Sequence, residues 1–215
     1  MCPKGENMRG KLITIEGCEG VGKSTQIKML SDYLEKTNQK AIFLREPGGN
    51  YISEKIRELI LDPTHHKMNG LCETLLYSAS RAQLIGEVIA PNIDSGNLVI
   101  CDRFIDSTIA YQGNARGLGV DKIKMLNELV CGEYMPDVTI FLDLPPKEAF
   151  KRKGGHDVND RIERESIEFH EMVYQGYKKA IDLYPDRIIA ISPRGTRVET
   201  HTAIISHLRA RGIIK

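Results

Sequence analysis

The segment Gly17-Cys18-Glu19-Gly20-Val21-Gly22-Lys23-Ser24 meets the pattern G-x-x-x-x-G-K-[ST] at every fixed position, after the apolar run Leu12-Ile13-Thr14-Ile15 and before a helical pattern. This is the strand-loop-helix setting that a phosphate-binding loop requires. Its glycines let the backbone turn N–H groups inward around phosphate oxygens, which then sit at the positive end of the following helix. Lys23 is expected to reach the β- and γ-phosphates, and the Ser24 hydroxyl to bind Mg²⁺, with Thr25 completing the binding stretch. A chain with this segment is expected to bind a nucleoside triphosphate.

The rest of the composition narrows the classes. At 215 residues, with 41% apolar residues, 27% charged residues and a formal charge of +1, the chain suits one globular domain. It has no large basic field of the kind that attracts duplex nucleic acid, so nucleic acid is not an expected partner. Cys2, Cys18, Cys72, Cys101 and Cys131 are odd in number and widely spaced, without a C-x-x-C pair. They read as reduced thiols of a cytoplasmic protein. No apolar run approaches the ~20 residues of a membrane span, and the first residues contain no apolar h-region. Residues 1–10 read as an N-terminal extension, with Met8 a second possible start.

Short β-branched runs recur along the chain at Leu12 to Ile15, Ala41 to Leu44, Leu98 to Cys101, Val138 to Leu144 and Ile188 to Ile191. They are apolar throughout, as strands buried on both faces should be. Helical stretches lie between them: Lys23 to Lys36, Ser53 to Leu61, Cys72 to Ile93, Asp121 to Val130, Lys147 to Arg152, Glu165 to Leu183 and Val198 to Arg211. This alternation predicts an α/β fold with a parallel sheet flanked by helices, in a single domain over residues 11–215. Residues 151–164 hold Gly154-Gly155, many charges and few apolar side chains, which suits a lid.

Ligands of an open parallel sheet gather at the carboxyl ends of its strands. After the second run comes Arg45-Glu46-Pro47-Gly48-Gly49, and after the third Cys101-Asp102-Arg103. A carboxylate there can hold Mg²⁺ or its water, and the adjacent Arg103 can grip a second phosphate. Tyr77 and Arg81, at i and i+4 of a helix, can stack on a base and hold a phosphate of the same small nucleotide. Ser107, Thr108, Tyr111 and Gln112 add hydroxyls, an aromatic and an amide within two helical turns. Each has an ordinary alternative as well, such as a strand-ending ion pair, a helix cap or core packing.

Taken in order, the loop with Glu19, Arg45 to Gly49, Tyr77 with Arg81, Asp102-Arg103, Ser107-Thr108 with Tyr111-Gln112-Gly113, and Asp160-Arg161-Ile162-Glu163 resemble the thymidylate kinase family from about Lys11 to Leu183. The resemblance implies a five-stranded parallel sheet, transfer of the γ-phosphoryl group of ATP to dTMP, Mg²⁺ as cofactor and a homodimer. It implies an aromatic at Tyr77 stacked on thymine, Arg81 on a base carbonyl, Thr108 at the polar edge of the pyrimidine and Tyr111 beneath the deoxyribose. It brings Arg103 and Arg45 to the monophosphate, has Asp102 and Glu19 order the site, and adds Glu46, Ser107 and Gln112 to the dTMP-binding set.

Three positions depart from the family's usual residues. Tyr77 stands where Phe is common, and Gly20 follows Glu19 where one branch has a basic residue. The chain thus resembles the branch whose lid supplies the catalytic cation, yet its lid reads Lys151-Arg152-Lys153-Gly154-Gly155-His156. Arg152, Lys153 and Arg161 are the candidates, with Arg161 foremost. Two rival activities were weighed against dTMP phosphorylation. A deoxynucleoside kinase would use a carboxylate base such as Glu46, and an NTP-hydrolysing switch would need a water-positioning residue that no motif supplies.

Overall fold

All five apolar runs form strands: β1 Lys11–Glu16, β2 Ala41–Arg45, β3 Leu98–Asp102, β4 Val138–Leu142 and β5 Ile188–Ile191. They are seen in a computed structural model that describes residues 9–154 and 160–215, Lys153 by its backbone alone. Most of the N-terminal extension and His156 therefore lie outside the described residues. The strands make one parallel sheet in the order β2-β3-β1-β4-β5. Among the described residues, no helix is long and apolar enough to cross a membrane.

The helices are α1 Lys23–Lys36, α2 Tyr51–Leu61, α3 Gly70–Leu84, α4 Ala90–Asp94, α5 Ile105–Thr108, α6 Val120–Cys131, α7 Pro146–Lys153, α8 Ile167–Leu183 and α9 Arg197–Ala210. Successive strand residues face opposite sides. Leu12, Val99 and Cys101 pack with Leu84, Ile89 and Ile93 on one side, whereas Ile13, Ile15 and Ile100 join a larger core with Val173, Tyr177 and Leu208 on the other. Both faces are covered, as an all-parallel sheet requires.

Three elements differ from the sequence expectation. The run Cys72 to Ile93 is interrupted, because Pro91 lacks an N–H and the chain widens into a π turn over Ile85–Ile89 before α4. β4 ends at Leu142 rather than Leu144, where the chain turns toward Pro145 at the start of α7. Residues 105–115 are helical throughout, α5 running into a π turn over Ile109–Ala115. That stretch is buried on nearly all sides, so it shows no amphipathic period. It packs along α8, and the approach is close because Gly176 has no side chain: a Cβ there would stand 2.6 Å from Ala110 Cα.

Candidate active site

The loop after β1 reaches α1 through Gly17, Gly20 and Gly22, with φ of 147°, 77° and 100°. Side chains are rarely tolerated at such angles. Gly22 is the N-cap of α1 and offers no side-chain acceptor, so the first helical N–H groups remain available to an anion. Lys23, 8% exposed, donates from Nζ to the carbonyls of Gly17 and Cys18, both at 3.3 Å. Burial lowers its pKa and the Arg103 charge adds to that, while Asp102, Glu19 and Glu16 act against them. Burial also pushes the Cys18 thiol up to about 12, so it is not a reactive thiolate. Ser24 and Asp102 line one groove beside this loop, and Asp102 Oδ1 is buried without accepting a hydrogen bond.

A second cavity opens next to the loop. Glu46, Tyr77, Arg81, Arg103, Ser107, Thr108, Tyr111 and Gln112 all line it, together with Glu19. Arg81 is almost wholly buried: its Nε donates to Glu46 Oε2 at 2.8 Å, its other nitrogen lies 2.7 Å from the same oxygen, and it reaches Asn127 Oδ1 at 3.1 Å. Burial pushes the Glu46 carboxyl up from its ordinary value, and Arg81 pulls it back. The Arg81 guanidinium also lies 5.0 Å from the centre of the Phe104 ring. Arg103, with φ of 67°, is turned into the cavity mouth, 5.3 Å over the Tyr111 ring and 3.8 Å from Glu19. One surface thus joins aromatic rings, arginines and hydroxyls to a phosphate-binding loop, which suits a nucleoside monophosphate facing a nucleoside triphosphate.

Comparison with known proteins shows the family. The family model for thymidylate kinase matches residues 15–204, a span holding the loop and the cavity. The chain belongs to the thymidylate kinase family. A thymidylate kinase of Thermoanaerobacter sp. (strain X514) is 46% identical over 198 residues, 92% of this chain and 97% of that protein. One of Clostridium novyi (strain NT) is 46% identical over 186 residues, 86% of this chain and 91% of that one. The crystal structure of thymidylate kinase from Ehrlichia chaffeensis resembles this fold with a TM-score of 0.76 at 31% identity, over 94% of this chain and 99% of that chain.

Three arginines expected at the site, Arg45, Arg161 and Arg152, do not line the cavity. Arg45 is paired with Glu54 at 2.9 Å and lines the groove with Ser24 and Asp102; Glu54 also accepts the Gly49 N–H. Arg161 is 7% exposed and turned away, 2.7 Å from Glu73 Oε2, with Nε donating to Ile60 O at 2.8 Å. Its neighbours Asp160, Ile162 and Glu163 line the cavity instead. Arg152 is exposed, donating to Pro193 O at 2.5 Å. The side chain of Lys153 lies outside the described residues.

Sequence reasoning passed over several residues that build the site. Arg57 lines the cavity and donates to Pro47 O at 2.9 Å; nothing in the pattern of α2 marks it out. Glu16 is fully buried at the end of β1, where its Oε1 accepts the Phe104 and Ser107 N–H groups and its Oε2 the Ser107 hydroxyl. A carboxylate closing an otherwise apolar strand just before a phosphate loop was the available signal. Asp106, also buried, is taken up by Arg187 at 2.6 Å and by Thr139 at 2.9 Å, a structural role.

Proposed function

We propose that this protein transfers the γ-phosphoryl group of ATP to dTMP, giving ADP and dTDP, with Mg²⁺ as cofactor. The observation that carries this reading is the shared wall of the two sites. Arg103 and Glu19 face each other at 3.8 Å, between the phosphate loop and the cavity that holds Tyr77, Arg81, Thr108 and Tyr111. A phosphate oxygen of dTMP attacks the γ-phosphorus as the bond to the ADP oxygen breaks, so no general base is needed.

Residues Gly17, Cys18, Glu19, Gly20, Val21, Gly22, Lys23, Ser24 and Thr25 would bind ATP, with loop N–H groups on the phosphates and Lys23 meeting the charge that develops there. Tyr77 would stack on thymine, Arg81 and Thr108 would hold its polar edge, and Tyr111 would lie under the deoxyribose. Glu46 and Gln112 shape that cavity, through Arg81 and Glu73 respectively. Arg103, steadied by Ser107, would grip the monophosphate, with Arg57 as a second cation lining the same cavity. Arg45, engaged by Glu54, would support the Gly48-Gly49 turn rather than a phosphate.

Mg²⁺ fits the residues present. Asp102 Oδ1 is a buried carboxylate oxygen without a hydrogen bond, in one groove with the Ser24 hydroxyl. Among the described residues, no group of three His, Cys, Asp or Glu could form a protein cage, which accords with an ion held mainly by phosphates and water. When bound, it would neutralise charge on the transferring phosphoryl group.

A homodimer is supported by an apolar face. Leu59 of α2, Leu71 and Leu75 of α3, and Met125 and Leu129 of α6 are each 48% exposed or more, and α3 packs on both α2 and α6. Exposed apolar side chains on helices that pack together suit an association face. Cys18, Cys72, Cys101 and Cys131 are free thiols, which supports a reducing, cytoplasmic compartment.

A coupled assay of ATP with each nucleoside monophosphate tests the reading. dTMP should be converted to dTDP fastest. Loss of ATP with no phosphorylated acceptor, or phosphorylation of a nucleoside in preference to dTMP, would refute it.

A further inference from the structure

We propose that Glu73 is a positioning residue, which anchors the arm Asp160-Arg161-Ile162-Glu163 through Arg161 so that this arm forms one wall of the monophosphate cavity. The proposal rests on the dTMP reading of that cavity.

Glu73 is 1% exposed and sits one helical turn before Tyr77 and two before Arg81, on the cavity side of α3. Its carboxylate gathers groups from two other parts of the fold. Oε1 accepts Gln112 Nε2 at 2.8 Å and Arg116 Nε at 3.2 Å, while Oε2 accepts Arg116 Nη2 at 3.1 Å and makes an ion pair, without hydrogen-bond alignment, with Arg161 Nη2 at 2.7 Å. Gln112 lines the cavity directly. Arg116 also binds Glu165 at 2.6 Å, so both ends of the arm's attachment meet at this cluster.

Arg161 alone of the four arm residues does not line the cavity. Asp160, Ile162 and Glu163 line the cavity, and Arg161 between them points out of it into Glu73. Backbone bonds fix the same register: Arg161 N donates to Leu61 O at 3.0 Å, and Asp160 Oδ1 accepts the N–H groups of Ile162 and Glu163, both at 2.8 Å. Burial alone would raise the Glu73 pKa, yet the Arg116 and Gln112 bonds and the Arg161 charge outweigh it and hold the carboxyl below its ordinary value. The acid is therefore ionised at neutral pH, as an anchor for two guanidinium groups must be. A guanidinium so engaged acts on the arm and not on a phosphate.

Three variants test this. Glu73→Gln keeps the volume and one acceptor while deleting the charge, Glu73→Asp keeps the charge, and Arg161→Met breaks the pair from the other side. Removing one partner of a buried pair should raise KM for dTMP about tenfold in Glu73→Gln and in Arg161→Met, with kcat within about threefold and KM for ATP unchanged. Glu73→Asp should recover part of that loss. Without nucleotide, amide exchange at Arg161, Ile162 and Glu163 should quicken at least about tenfold, while β1 amides keep the wild-type rate. The double variant should be no worse than the poorer single one.

Unchanged exchange in the arm, or additive effects, would overturn the proposal. So would an Arg161→Met variant that loses kcat at unaltered KM for dTMP, since Arg161 would then act on the transition state. Should Glu73→Gln not fold, Arg161→Met alone decides by the same two readouts. The exchange experiment needs no nucleotide, so its outcome is separate from whether the wild-type protein phosphorylates dTMP.

Discussion

The Tyr177 hydroxyl donates to the Glu16 carboxylate at 2.9 Å, joining α8 to the last residue of β1 beneath the phosphate loop. Arg103 donates to the same hydroxyl at 3.0 Å, so the buried acid holds the groups that hold Arg103. Burial is the largest influence on Glu16 and nearby Asp106 the next; they outweigh Arg103 and Ser107 and raise its pKa from 4.5 to about 7.

The sign of the resulting pH dependence follows from that direction. Between about pH 4.5 and 7 the folded protein keeps a proton on Glu16 that the unfolded chain has released. Stability from this group therefore falls as pH rises through that window and is level above it. Glu16→Gln removes the slope. Urea unfolding at pH 5 and at pH 8 should show the variant gaining on the wild type at the higher pH, by on the order of a few kcal/mol. Parallel pH profiles for the two proteins would count against the assignment.

Lys23→Met should abolish most turnover and spare the fold. The Nζ group bonds only loop carbonyls, at 3.3 Å, and its charge is disfavoured by burial, so little stability depends on it. On the proposed function its positive charge would meet charge that grows on the phosphates, and losing such a donor costs kcat about 100-fold or more. A folded variant, verified by an unaltered Tm, that keeps more than about a tenth of wild-type kcat would sink this role.

The sheet and the motif neighbourhoods were legible because their signals are local. Apolar β-branched runs between helical stretches can hardly be other than strands buried on both faces. The helix over residues 105–115 was hidden, since its burial on nearly all sides erases the period that marks a surface helix. Side-chain direction was the other gap. Arg45 and Arg161 stand in the expected segments, but their charges are captured by Glu54 and Glu73, acids on helices that pack beside them only in the folded chain. A motif specifies which segment approaches a site, and the nearest counter-charge decides where its arginine turns.

Gly176→Ala should destabilise the protein chiefly through contact with the Ala110 backbone, and also with Asn114 Cβ at 2.9 Å. The new methyl would lie 2.6 Å from Ala110 Cα and 2.7 Å from Ala110 O, and no flexible side chain can yield there. Overpacking of this kind costs about 1–3 kcal/mol. The helix 105–115 also carries Thr108, Tyr111 and Gln112, so KM for dTMP should rise with the loss of stability. An Ala variant as stable as wild type in urea would contradict the close approach of α8.

Tyr111→Ala should weaken discrimination between deoxyribo- and ribonucleoside monophosphates. The ring is 8% exposed, braced edge-on by Phe169 and Tyr177 at centroid distances of 6.2 and 6.4 Å, and it lines the cavity wall. A ring held that firmly excludes an added hydroxyl by shape. The measurement is kcat/KM for dTMP against its ribose counterpart; a ratio equal to wild type would remove Tyr111 from the selectivity role.

The lid cation is best sought at Arg152. Gly20 contributes no charge to the phosphate loop, and Arg161 is neutralised by Glu73 at 2.7 Å. Arg152 instead is exposed and donates to the Pro193 carbonyl at 2.5 Å, and Glu148, the acid that feels its charge, is itself paired with Arg194 at 2.8 Å. It stands at the end of α7, where the chain enters the lid. A cation that acts on the transferring phosphoryl group stabilises the transition state more than the bound ground state. Arg152→Met should then lower kcat and kcat/KM together, by about tenfold or more, with KM for ATP little changed. The Met side chain keeps an unbranched apolar stem, so loss of packing is kept small. A change of less than about threefold in kcat, or an effect confined to KM for ATP, would mean that Arg152 binds nucleotide in the ground state, and the transition-state cation would have to come from elsewhere in the lid.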